Sequence, residues 1–175
     1  SIGFNFTYGC NTYTQFRVSS NGWLSLGYNT LSSMPGNSLS VTGQGPILAP
    51  LWDDLATSDY GNINYILSGS APNRVLTIEW LNMLWDANGS DATISFQVKL
   101  YETSNVIDFT YSREWGAVNN GSGGASIGLN GGYSTTDFYS LDGSGTAPTA
   151  NYGMETNNIS TRPATNRVYR WTPGS

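Results

Sequence analysis

Chemistry at neutral pH calls for a proton shuttle, an activated nucleophile or a metal, and this chain is poorly supplied with all three. It contains no histidine and one cysteine, Cys10. The first absence removes Ser-His-Asp and Cys-His catalysis and histidine metal sites. Cys10 sits between Gly9 and Asn11 and reads as a turn thiol without a base. An intrachain disulfide is impossible, so its other available role is pairing with a second molecule. The glycine-rich stretch ending at Gly124 is followed by neither a lysine nor a helix, which excludes a phosphate loop.

Carboxylates remain. A glycoside hydrolase needs two acids facing each other at about 5 to 10 Å, and the candidates are Asp53, Asp54, Glu79, Asp86, Glu102, Asp108 and Glu114. Glu79 shares an alternating face with Val75 and Thr77, which favours a solvent-facing position over a catalytic one. Asp53 and Asp54, directly after Trp52, are the candidate calcium ligands, because Ca²⁺ gathers carboxylate and carbonyl oxygens. The competing reading is a strand-end turn whose aspartates bond nearby backbone N–H groups, and it is preferred. Asp86-Ala87-Asn88-Gly89-Ser90-Asp91 opens like a calcium loop, but its glycine comes too early and no acid closes it. It reads as a hairpin turn.

Aromatic rings offer a different chemistry, the stacking of sugar rings beside polar groups that orient hydroxyls. Trp85, Trp115, Asp86 and Asn88 are the candidate ligand-binding residues on this reading, and packing at a loop base is the competing, preferred reading of the two tryptophans. Trp23, Trp52, Trp80 and Trp171 have apolar neighbours and are expected in the core. Tyr133, Tyr139 and Tyr152 are candidates to line a loop surface.

The elements that must position these residues are strands. From Thr93 to Leu100, Ile94, Phe96, Val98 and Leu100 fall on one face, and Thr93, Ser95, Gln97 and Lys99 on the other, the pattern of a strand with one wet side. Similar alternation marks 2–7, 13–19, 23–26, 62–67, 74–81, 106–111, 125–129, 137–141 and 167–172, separated by Gly/Pro/Asn/Ser turns. About nine to eleven short strands predict an all-β, antiparallel, jelly-roll-like β-sandwich, with a closed barrel as the alternative. The segment 141–165 lacks periodicity and is expected to be a long surface loop. No linker divides the chain, so residues 1–175 are read as a single sandwich domain, either complete or a module of a longer secreted protein.

Composition narrows the partners. Charged residues make up 11 % of the chain, against about 25 % in typical soluble domains. The net charge is −5 and the one lysine is Lys99, so there is no basic footprint for nucleic acid or an anionic membrane. No apolar run approaches the roughly 20 residues of a membrane-spanning helix.

Two segments carry a family resemblance. One runs Ile2-Gly3-Phe4-Asn5-Phe6, then from Tyr13 through Asn21-Gly22-Trp23-Leu24-Ser25-Leu26-Gly27. The other is Pro46-Ile47-Leu48-Ala49-Pro50-Leu51-Trp52-Asp53-Asp54-Leu55. Together they resemble the β-sandwich modules of type IX-secreted bacterial surface proteins and are similar to nidogen-like extracellular domains. Residues 71–80 and 96–109 fit the bacterial version. The resemblance implies a secreted or cell-surface module of an adhesin or structural assembly, and carries over no catalytic residue.

These observations lead to a non-catalytic adhesive or structural module, one that self-assembles or packs against neighbouring domains of its own protein. Ile2, Phe4 and Phe6 are the assembly candidates, because a chain that opens on a strand can donate that strand or lack its partner. The alternative is a carbohydrate-binding module for surface glycans, with or without calcium as its one cofactor. A glycoside hydrolase is the third reading.

Overall fold

The computed structural model describes residues 1–28, 36–85, 89–118 and 124–174. Thirteen strands and no helix are found among them, all paired antiparallel. A hairpin of β1 (Phe6–Tyr8) and β2 (Asn11–Tyr13) caps two sheets. The first sheet holds β3 (Phe16–Ser19), β4 (Trp23–Leu26), β5 (Ile47–Trp52), β10 (Ser126–Asn130), β11 (Phe138–Leu141) and β12 (Ala150–Tyr152), in the order β12-β11-β10-β5-β4-β3. The second holds β6 (Ala56–Ser68), β7 (Val75–Leu84), β8 (Ile94–Tyr101), β9 (Ile107–Arg113) and β13 (Val168–Trp171), in the order β13-β9-β8-β7-β6. The fold is an antiparallel β-sandwich and not a barrel. The chain changes sheet after β5, β9 and β12, and β10 returns to pair with β5. The strand count exceeds the expected nine to eleven because β1, β2 and β12 have three residues each, too few to show a period.

Alternation explains the second sheet. Ile94, Phe96, Val98 and Leu100 of β8 are buried and oppose the first sheet, as do Leu76, Ile78 and Trp80 of β7. Trp80 stacks on Phe96 at 5.1 Å between ring centroids. The wet face expected at Thr93 and Ser95 is not wet, however. Both are buried, because Thr93 Oγ1 accepts from Trp85 N at 2.8 Å and Ser95 Oγ donates to Glu114 at 2.6 Å.

Alternation fails for β5, whose six residues are all buried. Leu48 and Leu51 face the main core. Ile47, Ala49 and Trp52 enter a second cluster with Trp23, Leu39 and Phe138 on the opposite side of the sheet. A strand covered on both sides reads as a continuous apolar run. Pro50 is tolerated in this central strand because the β5–β10 register slips there: Ala49 pairs with Gly128, but Trp52 pairs with Ser126. Proline inside a sheet is largely confined to edges and bulges of this kind.

Three segments depart from expectation. β6 starts at Ala56 rather than Asn62, and a bulge between Thr57 and Asn62 had masked its period. The loop expected over 141–165 contains β12, and buried Ile159 bridges to Ala125 with N···O distances of 2.9 and 3.1 Å. The strand expected over 2–7 is regular only from Phe6. Ile2, Phe4 and Phe6 are nonetheless buried in the main core of their own chain, and Ile2 N donates to Thr14 O at 2.8 Å. As assembly candidates they are therefore already occupied, and donating them would first empty this core.

Candidate functional site

Three of the candidate acids, Glu102, Asp108 and Glu79, are committed to holding strands. Arg74 Nε donates to Glu102 Oε2 at 2.8 Å, and Arg74 Nη1 reaches Gly3 O at 2.7 Å, which ties the first residues to the β7–β8 end. These bonds hold the Glu102 carboxyl at about 2. Arg170 grips Asp108 with two donors at 2.8 and 2.7 Å, and Tyr101 adds a third at 3.0 Å. Burial pushes Asp108 up, but these bonds outweigh it and its pKa lies below the usual value. Gln97 Nε2 donates to Glu79 at 2.8 Å on the outer face of the second sheet.

The calcium and sugar candidates of the sequence do not assemble. Asp53 Oδ1 accepts from Asp54 N at 2.8 Å and Oδ2 accepts from Trp85 Nε1 at 2.7 Å. Asp53 thus serves a strand-end turn, while Asp54 is exposed. Among the described residues, no three His, Cys, Asp or Glu side chains come together to hold a metal ion. Trp85 is buried and so offers no face to a sugar: the ring fills the core and its N–H finds Asp53. Trp115 is 61 % exposed and stacks on no other ring among the described residues. Asp86 and Asn88 lie outside the described residues.

A cleft of about 500 Å³ opens elsewhere, where the β1–β2 hairpin, the β10–β11 turn and the end of β13 meet. Its walls carry Tyr8, Tyr133, Tyr139 and Trp171, with Ile107, Leu129 and Phe138 beneath. Tyr133 is 71 % exposed. Its hydroxyl accepts from Asn11 Nδ2 at 3.0 Å and lies 3.4 Å from Tyr13 Oη. Tyr8 Oη donates to Asn130 O at 3.1 Å. Burial pushes the Tyr8 hydroxyl up and the charge of Asp137 adds to it. Burial also raises Tyr13, helped by the bond to Tyr133. Both phenols are therefore neutral at physiological pH.

Two polar groups of this cleft lack partners. The Asp137 carboxylate accepts no hydrogen bond from a described residue. It lies over Gly131, where a Cβ would come within 1.9 Å of Oδ2, so glycine makes its room. The Trp171 indole nitrogen is buried without a partner among the described residues. Exposed Cys10 stands at the lip, and among the described residues no Lys or Arg lines the cleft. An aromatic, mostly apolar hollow with a few convergent polar groups is the usual form of a small-ligand site. Sequence reading had singled out Tyr133 and Tyr139 as surface lining. It placed Trp171 in the core and gave no signal for Tyr8, Asn11 or Asp137, which converge only through contacts more than a hundred residues apart in the chain.

A family model described as NIDO related, that is nidogen-related, matches residues 1–173. No curated protein and no solved structure matches the chain.

Proposed function

The chain belongs to the NIDO-related family, and on that premise we propose that it is a non-catalytic adhesive module of an extracellular protein that holds a neutral glycan in the tyrosine-lined cleft. The bacterial type IX-secreted setting resembled by the opening motifs is the setting we assign to it. No helix among the described residues is long and apolar enough to cross a membrane.

The observation that carries the reading is the pairing of exposed Tyr133 and Tyr139 with the carboxylate of Asp137, which has no hydrogen-bond partner among the described residues, in one hollow. Ring faces offer apolar stacking surface for the C–H side of a pyranose. The carboxylate and the tyrosine hydroxyls can meet its hydroxyl groups. The absence of a cation from the lining disfavours phosphate, sulfate or sialic acid as the anchoring group. The commitment of Glu102, Asp108, Glu79 and Glu114 to arginine, amide and hydroxyl partners supports the non-catalytic part.

The test is an array of neutral and acidic oligosaccharides, followed by calorimetric titration of the best binder. Selective retention of neutral glycans, lost in Tyr133→Ala and Asp137→Asn with the melting temperature unchanged, is the expected result. An array with no neutral glycan above background overturns the reading.

A further inference from the structure

Sheet edges are where a sandwich has unspent hydrogen-bonding capacity. A strand at an edge leaves half of its N–H and C=O groups pointing outward, and proteins blunt such edges with short length, charge or proline. Three of the four edges of the two sheets follow that rule. β3 has four residues and carries Arg17, β13 has four and carries Arg170, and β12 has three. The fourth edge, β6, follows it only at its start, where Asp59 and the bulge before Asn62 lie. It has thirteen residues and pairs only with β7.

From Tyr60 to Ser68, β6 contains no charged residue and no proline. Its pairing with β7 is continuous from Asn62 to Ser68, clear of the bulge. Tyr60, Tyr65, Ile66 and Leu67 are 76, 65, 64 and 42 % exposed. The chain as a whole carries a net charge of −5, so copies repel one another in general, and this segment is one place where approach brings no like charges together.

We infer that β6 is a homotypic docking edge: two copies of this chain pair antiparallel through Asn62–Ile66 about a two-fold axis at Asn64, joining their five-stranded sheets into one. The segment is self-complementary in that register. Asn64 opposes its own copy, and on the core-facing side Ile63 meets Tyr65. On the outer side Asn62 meets Ile66. Every opposed pair lies on a common face, as antiparallel pairing requires. Because no charge needs neutralising, the fitting partner is another uncharged edge, which a second copy supplies. β6 contributes nothing to the tyrosine-lined cleft, so this inference stands apart from the glycan reading.

Sedimentation velocity across a concentration series tests it, on the wild type and on Asn64→Lys and Asn64→Glu variants whose folding is checked by circular dichroism. The wild type is expected to dimerise. Each variant alone opposes like charges at the axis and should weaken the dimer by roughly tenfold or more. An equimolar mixture of the two should restore it as a Lys–Glu heterodimer. Ile66→Lys, at an exposed position on the outer side, is the second variant and should also weaken the dimer. A wild type that stays monomeric at every concentration overturns the inference. So does a dimer indifferent to Asn64 and Ile66 charge, or a charge-swapped mixture that fails to recover.

Discussion

The indole N–H of Trp85 donates to the carboxylate of Asp53 across 2.7 Å, joining the far end of β7 to the turn that follows β5. The other Asp53 oxygen caps Asp54 N at 2.8 Å. One oxygen fastens one sheet to the other and the second holds the turn itself. A hydrogen bond to a charged group contributes about 1.5 to 3 kcal/mol, so Asp53→Ala should lower unfolding stability by about that much and lower the urea midpoint without changing the slope. Trp85→Phe should lose a similar share of the bond and also leave a small gap. A double-mutant cycle that shows no coupling between the two sites would refute the link. Millimolar calcium is expected to leave the wild-type midpoint where it is.

Acid sensitivity should arise at the two carboxylates gripped by arginine. Bonds from Arg74 hold Glu102 at about 2, against an ordinary value of 4.5, and bonds from Arg170 and Tyr101 lower Asp108 despite its burial. A carboxyl whose folded pKa is depressed takes up protons more readily when unfolded. Its stabilisation is complete above the unfolded pKa and drains away as the pH falls toward the folded one. Stability should therefore decline from about pH 4.5 to about pH 2 for Glu102, and Glu102→Gln should flatten that part of the profile. Denaturant unfolding at stepped pH reads it, and a Glu102→Gln profile parallel to that of the wild type would exclude this site as the cause.

The hairpin between β3 and β4 turns on Asn21-Gly22. Gly22 has φ +79°, and a Cβ there would come within 1.8 Å of the carbonyl oxygen of Leu51. That oxygen belongs to the backbone of a central strand and cannot step aside. Gly22→Ala should cost well over about 1 kcal/mol, through backbone strain and displacement of β5 together. A thermal melt that falls by no more than a degree or two would show that the turn gives way easily.

What the sequence disclosed, and what it hid, follows from how each element is covered. β8 announced itself because one side meets the other sheet and the other side meets a polar face. β5 did not, because its two faces are both covered and an apolar run has no period. The Asn-Gly turn was readable because it obeys local steric rules. The bond from Trp85 to Asp53 was not, since the two lie 32 residues apart in the chain. The cleft was least readable of all: Tyr8 and Trp171 look like ordinary strand residues until β1 and β13 arrive at the same corner of the sandwich.

The chain's only thiol offers a direct view of that corner. Cys10 is exposed and lines the cleft beside Tyr8 and Asn11. Alkylation by iodoacetamide proceeds through the thiolate and requires access, so a glycan seated against Tyr133 and Tyr139 should shield it. With the neutral oligosaccharide selected on the array, the labelling rate measured by intact mass should fall in proportion to occupancy, with half-protection at the calorimetric Kd. Tyr133→Ala should react at the unprotected rate whether or not the sugar is present, while keeping the wild-type rate in its absence. A saccharide that binds by calorimetry yet leaves Cys10 labelling unchanged would seat the ligand elsewhere, and exposed Trp115 would then be the surface to mutate next.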